Sequence, residues 1–450
     1  MKRKIYDKLL KWKQLRGGES AVLINGARRV GKSYIAREFA RREYRSHIII
    51  DFNKTSAKIT ELFDLYLDDL DTFFVYLSAL THTTLYRRES VIVFDEVQLY
   101  PRARAAIKYL VEDGRYDYIE TGSLMSIKKN VENIVIPSEE EEMLLHPMDF
   151  EEFLWAMGDE TLMPLIASNY ERRQPLGQLM HRRAMDLLRQ YIIVGGMPQA
   201  VQKYVDTRDF AQVDYAKRQI LKLYRNDIHK FAAGYQAKVT NVFDTIPSQL
   251  QQHEKKFQLK ALQQDARMRD YETSFFWLAD AMIVNMAYNT TAPNIGLGLN
   301  EDSATLKCYM ADTGLLLSHA FSENDIPSEN LYAKILTDKL EFNSGMIVEN
   351  LVAQMLRAAG HRLFFFSKYD KDDAAERMEI DFLIAKSRIT SRHNISIIEV
   401  KSTTRYTITS LQKCIAKYGQ HIDMSYVLHS GDLSERNGIV YLPLYMTPLL

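Results

Sequence analysis

The chain has 450 residues, enough for roughly three domains of ~150 residues that each bury a core of their own. Lysine plus arginine and aspartate plus glutamate balance at 58 each, which excludes a global electrostatic pull toward nucleic acid or membrane and makes any binding surface local. No apolar run approaches the ~20 residues of a spanning helix, and Cys308 and Cys414 lie far apart with no CxxC pairing, so a soluble protein of a reducing cytoplasm without a membrane partner is expected.

The amino terminus, MKRKIYDKLLKWKQLRGGES, starts basic, but charges recur through it and no apolar core or small-residue cleavage site follows. It reads as a short amphipathic helix leading into the first strand. From Ala21 to about Asp149, short apolar runs alternate with helical stretches: AVLIN then YIAREFARREY, SHIIIDF then ELFDLYLDDLDTFFVYLSAL, SVIVFDE then RARAAIKYLVEDG, and finally YDYIETG. That alternation predicts a parallel sheet with helices on both faces. Between about Glu151 and Ser344 the periodicity is mainly helical, punctuated by VGGMP and NTTAPNIGLG, and no comparable strand series is evident. The last hundred or so residues return to mixed strands and helices in RLFFFSK, EIDFLIAK, ISIIEVKS and MSYVLHS. The reading is an α/β chain of three domains, at residues 1–160, 161–340 and 341–450.

The octet Gly26-Ala27-Arg28-Arg29-Val30-Gly31-Lys32-Ser33 satisfies GxxxxGK[ST] with a buried strand before it and a helix after it, and together with Tyr34 it is the candidate nucleotide-binding segment. The glycines let backbone amides point inward at phosphate oxygens, and the helix adds free N–H groups and a positive dipole end. Lys32 is then expected on the β and γ phosphates of ATP and the Ser33 hydroxyl on Mg²⁺. The bland alternative is a glycine turn that matches by chance. The strand SVIVFDE ends in two carboxylates, with Asp95 the metal-side candidate and Glu96 the candidate base; the alternative is a strand that simply ends in solvated acids. Thr121 and Ser123, at the carboxyl edge of the next strand, are candidates to sense the nucleotide or orient water, or plain turn formers.

GARRVGKS, FDEVQLYPRARAAIKYL, ETGSLMS and LHPMDFEEFL, in that order, resemble a prokaryotic group of AAA+ ATPases that carry a carboxyl-terminal domain of unknown function. The resemblance continues through VGGMPQAV, YRNDI, IPSQL, YMADTGL and GMIVEN, and so covers nearly the whole chain. It implies a P-loop AAA+ parallel sheet, phosphate and metal roles for Lys32, Ser33 and Asp95, a catalytic role for Glu96, and a sensor at Thr121 or Ser123. One departure stands out: similar proteins commonly show a Gly-Arg pair before LHPMDF, where this chain has Pro137-Ser138-Glu139-Glu140-Glu141-Glu142. Candidates for an arginine that reaches the γ phosphate, often from a neighbouring subunit, are Arg102, Arg104 and Arg225; the competing reading for each is a solvated or salt-bridged side chain.

The segment from about Asp209 to Ser318 resembles a winged-helix module, to which Lys255, Lys256, Lys260, Arg267 and Arg269 give basic character. Such a module either grips DNA or packs between domains. Phe275, Phe276 and Trp277 fit a core stripe better than a base-stacking platform. At the carboxyl end, a helical Glu349 precedes Glu379-Ile380-Asp381-Phe382, the polar turn SRITSRHN and Ile397-Ile398-Glu399-Val400-Lys401. Glu399 and Lys401 are two apart on a strand and point to one face. Asp381 and Glu399, with Glu349, are candidate Mg²⁺ or Mn²⁺ ligands, and Lys401 a candidate to position or deprotonate the attacking water. The order Glu, Asp, Glu-x-Lys is similar to the PD-(D/E)xK restriction-endonuclease-like fold, with Ile380 in place of its proline. Two functions follow: an ATPase coupled to a DNA-cleaving domain, or an ATP-dependent switch whose nuclease-like domain is a protein-binding scaffold. The partners expected are ATP with either DNA or a protein, the latter including a further copy of this chain.

Overall fold

The computed structural model describes residues 1–123, 138–232, 234–252, 255–294, 296–321, 329–337, 344–385, 394–403 and 405–450. The LMS of ETGSLMS, Pro137, and residues 386–393, which include all of the polar turn but Asn394, lie outside them. Contacts divide the chain into two compact units, Met1–His146 and Pro147–Leu450.

In the first unit, helix α1 (Ile5–Arg16) leads into β1 (Ala21–Gly26), then α2 (Lys32–Glu43), β2 (Ser46–Asp51), α3 (Ala57–Leu65), α4 (Leu70–Thr81), β3 (Ser90–Asp95), α5 (Pro101–Asp113), β4 (Asp117–Gly122) and β5 (Glu140–Leu145). Among the described residues the strands form one sheet in the order β2-β3-β4-β1-β5, and every pairing is parallel. β1, β3 and β4 are buried along their whole length, as apolar runs without alternation require when helices cover both faces. An aromatic cluster of Phe63, Phe73, Phe74, Phe94 and Tyr118 fills the core against Ile48, Ile50 and Ile107.

β5 is the unforeseen element, because the glutamate run has poor strand propensity and reads as a loop. Pairing supplies what propensity lacks: Ala21 lies beside Glu140 and Gly26 beside Leu145. Each acid also has a partner. Glu140 takes a bidentate contact from Arg104 at 2.8 and 3.1 Å, Glu141 accepts from Ser20 at 2.8 Å, and Glu142 accepts from the Asn25 amide at 2.7 Å.

The second unit opens with helices α6 (Phe150–Ala156), α7 (Leu162–Glu171), α8 (Gln178–Val194), α9 (Pro198–Thr207), α10 (Phe210–Phe231), α11 (Gln236–Gln251) and α12 (Met268–Asp280). Next come β6 (Val284–Thr290), β7 (Glu301–Met310), α13 (Thr313–Ala320), α14 (Glu329–Leu336), α15 (Ser344–Ala358), β8 (Leu363–Lys368), β9 (Met378–Ala385), β10 (Ile395–Val400), α16 (Thr409–Tyr418), β11 (Ile422–His429), β12 (Ser434–Arg436) and β13 (Ile439–Pro443). The described strands make one sheet in the order β12-β13-β11-β10-β9-β8-β6-β7. The stretch read as mainly helical therefore contains two long strands. β6 pairs antiparallel with β7 and parallel with β8, so this hairpin extends the carboxyl-terminal sheet. Its polar first half, EDSA, hid the strand: residues 301–305 of β7 are partly or fully exposed, and only 306–310 are buried.

Close backbone approach explains VGGMP. Gly195 has φ +78°, and a Cβ on Gly196 would lie 2.1 Å from the Met148 carbonyl oxygen. The Asp312 carboxylate accepts from the Gly196 amide at 2.5 Å and caps α13 through the Leu315 amide at 2.8 Å. A buried polar chain continues from there. The Gln354 amide oxygen accepts from the Thr313 amide at 2.8 Å, its NH₂ donates to the Tyr191 hydroxyl at 2.8 Å, and that hydroxyl donates to Met148 O at 2.7 Å. Gly196→Ala is therefore expected to lower the unit's unfolding free energy by about 3 kcal/mol, the upper range of overpacking costs. Gly360→Ala, whose added Cβ meets nothing within 4 Å, should cost about 1 kcal/mol from its positive φ alone. Equal denaturant midpoints for the two variants would contradict this.

Candidate functional site

In the first unit the phosphate loop starts where β1 ends. A Cβ on Gly26 would sit 2.4 Å from Leu145 O on β5 and 3.0 Å from Val30, so only glycine fits under the loop. Gly31 at φ +103° and Arg29 at φ +70° turn the backbone in the left-handed region, where successive amides can face one point. Ala27 and Val30 are buried, Arg28, Arg29 and Tyr34 are exposed, and Lys32 is the first residue of α2. The Lys32 ammonium is buried and donates to Gly26 O at 2.9 Å and Ala27 O at 3.0 Å, so its charge sits in the mouth of the loop. Ser33 follows it on the same helix, half-buried.

Asp95 ends β3 at 2% exposure. One carboxylate oxygen accepts from the Thr121 hydroxyl at 2.5 Å and the other from Arg37 at 2.8 Å. A carboxylate has about four lone-pair sites, so capacity remains for a metal or its water. The same Thr121 hydroxyl accepts from the Glu96 amide at 3.3 Å, which fixes the strand end where Glu96 adopts φ +58°. Gln98 donates to the Glu96 carboxylate at 2.5 Å. Thr121 is thus a positioning residue for both acids; Ser123 lies just past β4, half-buried. Arg37 was not legible as a member, since a lone arginine on a helix shows no sign of which strand end it meets. Arg104 is 3% exposed and engaged with Glu140, so its burial removes it as an arginine that reaches outward. Arg102 pairs with Asp64 at 2.7 Å, and Arg225, in the second unit, with Asp244 at 2.8 Å.

In the second unit the expected carboxyl-terminal residues converge. β9 and β10 pair with Ile398 opposite Phe382, and one step further in that register puts Glu399 opposite Asp381. Lys401 donates to one Glu399 oxygen at 2.6 Å, while the other is buried without a partner. Asp381 accepts from the Val400 amide at 2.8 Å. Burial and the neighbouring Asp381 push Glu399 up to about 7, against the pull of Lys401. Burial and Glu349 raise Asp381, against Lys307.

Lys307, on β7, is the member that sequence reasoning missed. At 1% exposure its ammonium lies 3.3 Å from Glu349, 3.1 Å from Glu379 and 3.8 Å from Asp381. Burial opposes its charge, but the three carboxylates hold its pKa above the ordinary lysine value. Glu349, on α15, also takes Lys255 and the Tyr309 hydroxyl, the latter at 2.5 Å. Burial alone would raise its pKa; the two lysines and the phenol bring it down to about 2. Lys255 is therefore an ion-pair partner of Glu349. The signal for Lys307 was a charge inside the apolar run LKCYM. Among the described residues no group of three or more histidine, cysteine, aspartate or glutamate side chains is arranged to hold a metal ion; Glu349 is paired with Lys255 and Lys307, and Asp381 lies 3.8 Å from Lys307. Phe275 and Trp277 are buried, Phe276 is half exposed, and no described helix is long and apolar enough to cross a membrane.

Residues 18–154 match the family described as an AAA domain, residues 185–325 a domain of unknown function, DUF8612, and residues 344–446 another, DUF4143. No curated protein matches. Among solved structures, the chain is similar to a signal transduction ATPase with numerous domains, bearing a tetratricopeptide repeat sensor, from Pyrococcus horikoshii. The TM-score is 0.29 and the identity 9%, over 79% of this chain and 48% of that one, so the chain spans about half of that protein. Drosophila ORC bound to DNA gives a TM-score of 0.29 and 12% identity over 71% of this chain and 95% of that one. Both scores are too low to assign a fold. The domain match and the parallel sheet with its phosphate loop give the first unit the P-loop fold of an AAA domain.

Lys307→Met should strand Glu349, Glu379 and Asp381 together and destabilise the second unit by about 3–5 kcal/mol at neutral pH, read by denaturant unfolding. Glu349 contributes stability above its ordinary pKa of 4.5 that is lost as pH falls through about 2, so the variant should show a shallower acid loss over that window. Glu399 has the opposite sign: its ionisation costs stability as pH rises from 4.5 to about 7, and Glu399→Gln should flatten that interval. Parallel pH profiles for parent and variants would remove both assignments.

Proposed function

We propose that the chain is an ATP-driven switch, in which the first unit binds and hydrolyses ATP and the second is a nuclease-like scaffold that binds without cutting. The observation that carries the second half is Lys307, whose buried ammonium supplies the positive charge that a divalent ion would otherwise bring to Glu349, Glu379 and Asp381. An ammonium cannot activate water as a Lewis acid does, so the cluster favours a binding role. The nuclease reading draws support from one atom, the partnerless buried oxygen of Glu399, which with Asp381 opposite would suit a Mg²⁺ or Mn²⁺ ion. In that reading Lys401 would act on the water.

For hydrolysis, the loop from Gly26 to Ser33 wraps the phosphates with its amides, and Lys32 exchanges its two carbonyl contacts for phosphate oxygens. A bound Mg²⁺ would offset phosphate charge, with Ser33 and Asp95 the residues to hold it. Glu96, oriented by Gln98 and by the Thr121 contact to its amide, polarises the attacking water.

Lys32→Ala should abolish ATP binding, whereas Glu96→Gln should bind ATP and hydrolyse it at least a hundredfold more slowly, measured side by side by nucleotide titration and phosphate release. Unchanged turnover in Glu96→Gln would exclude that carboxylate as the base. For the second unit, Mn²⁺ titrated into the whole chain carrying Lys32→Ala should give no heat that depends on Asp381 and Glu399 and no nicking of plasmid DNA. Cleavage lost in Lys401→Ala would install the nuclease reading instead. The whole chain is required because a fragment starting near residue 340 would lack β6, β7 and with them Lys307.

A further inference from the structure

Beside the Lys307 cluster, sharing Glu379 with it, lies a cavity of about 580 Å³ lined by Lys256, Ser367, Lys368, Tyr369, Arg377, Met378, Glu379 and Ser410. Ser367 and Lys368 come from the end of β8 and Met378 and Glu379 from the start of β9, where the two strands pair. Its charge is predominantly positive. Among the described residues Lys256 has no carboxylate partner, and Arg377 spends its donors on the neutral carbonyls of Asp370 and Lys371, so both keep their full charge. Lys368 shares Glu376 with Lys417, and Glu379 is turned to account by Lys307 at 3.1 Å. Ser410 lies in the first turn of α16, whose amino terminus has no side-chain cap. Uncapped amides there add to the attraction for an anion.

Tyr369 adds a second kind of chemistry. It stands on the rim at 72% exposure, with the Arg377 guanidinium 5.1 Å from its ring centroid. An exposed aromatic ring with a cation packed on it is a platform for a flat π-face, and cations a few ångströms away suit a phosphate. The volume falls in the range of small-ligand sites.

We infer that this cavity binds a nucleotide unit with an unpaired base, its phosphate among Lys256, Lys368 and Arg377 and its base on Tyr369. The unit could be presented as a free nucleotide or within a single strand; the recognition chemistry is the same. A base already paired in a duplex cannot stack on Tyr369. The site goes beyond the scaffold reading by naming what the scaffold binds, and cleavage of the probe would sink that reading while leaving this one standing.

The test uses the whole chain with Lys32→Ala, so that the phosphate loop does not contribute, and a fluorescent oligo(dT) probe read by anisotropy over a salt series. Expected are binding that weakens in Lys256→Ala with a salt slope shallower by about 0.7, as one lost single-strand phosphate contact requires. A loss of at least about fivefold is expected in Tyr369→Ala, with affinity kept in Tyr369→Phe, which retains the stacking face. Competition by excess AMP assigns the site to a free nucleotide, and resistance to AMP with intact oligo(dT) binding assigns it to a strand; either upholds the inference. Equal affinity and slope in Lys256→Ala and its parent, preference for duplex over single strand, or binding of neither oligo(dT) nor AMP would overturn it.

Discussion

A lysine ammonium with 1% exposure is tolerable only where opposite charges surround it, and Lys307 meets this requirement with three carboxylates drawn from two structural elements. Glu349 arrives from α15, and Glu379 and Asp381 from β9, while Lys307 itself rides on β7. These three elements therefore meet at one buried point. Asn350, next to Glu349, reinforces it: its carboxamide accepts from the Met310 amide at 2.8 Å and donates to the Met310 carbonyl at 3.2 Å. The polar chain through Thr313, Gln354, Tyr191 and Met148 then ties the helical half to the sheet. Polar groups buried in a low-dielectric interior are costly unless every partner is in place, which makes the arrangement specific as well as stable.

The same physics decides what the cluster can do. Carboxylates packed together demand a cation or a proton between them. At Glu349 two lysines and a phenol meet that demand from within the chain; at Glu399 Lys401 meets half of it, and one oxygen is left over. The chemistry of the unit turns on that difference. Side chains alone balance the charge around Lys307, while the neighbouring cavity gathers Lys256, Lys368 and Arg377 at its lining.

The first unit uses its polar groups differently. Asp95 is held by Thr121 and Arg37 yet keeps lone pairs to spare, and Lys32 donates to two carbonyls that a phosphate can replace. Its charges are poised, whereas those around Lys307 are spent. Glu140 shows the structural counterpart in this unit, a buried acid matched bidentately by Arg104 on an edge strand.

The sequence by itself determined the local chemistry: a strand, a glycine loop and a helix start at Gly26–Ser33, two acids at the end of a buried strand, and Asp381 set against Glu399 across a hairpin. These are legible because each depends on residues a few positions apart, where period and spacing dictate geometry. Only the tertiary structure decided that a glutamate run would pair as β5, that β6 and β7 would join the carboxyl-terminal sheet, and that Lys307 would enter a carboxylate cluster 42 to 74 residues away in sequence. A strand of poor propensity is rescued by its neighbour's open edge, and a buried charge by partners on other elements. Neither leaves a periodic trace in the chain, because the compensating group is fixed by the fold and not by its distance along the sequence.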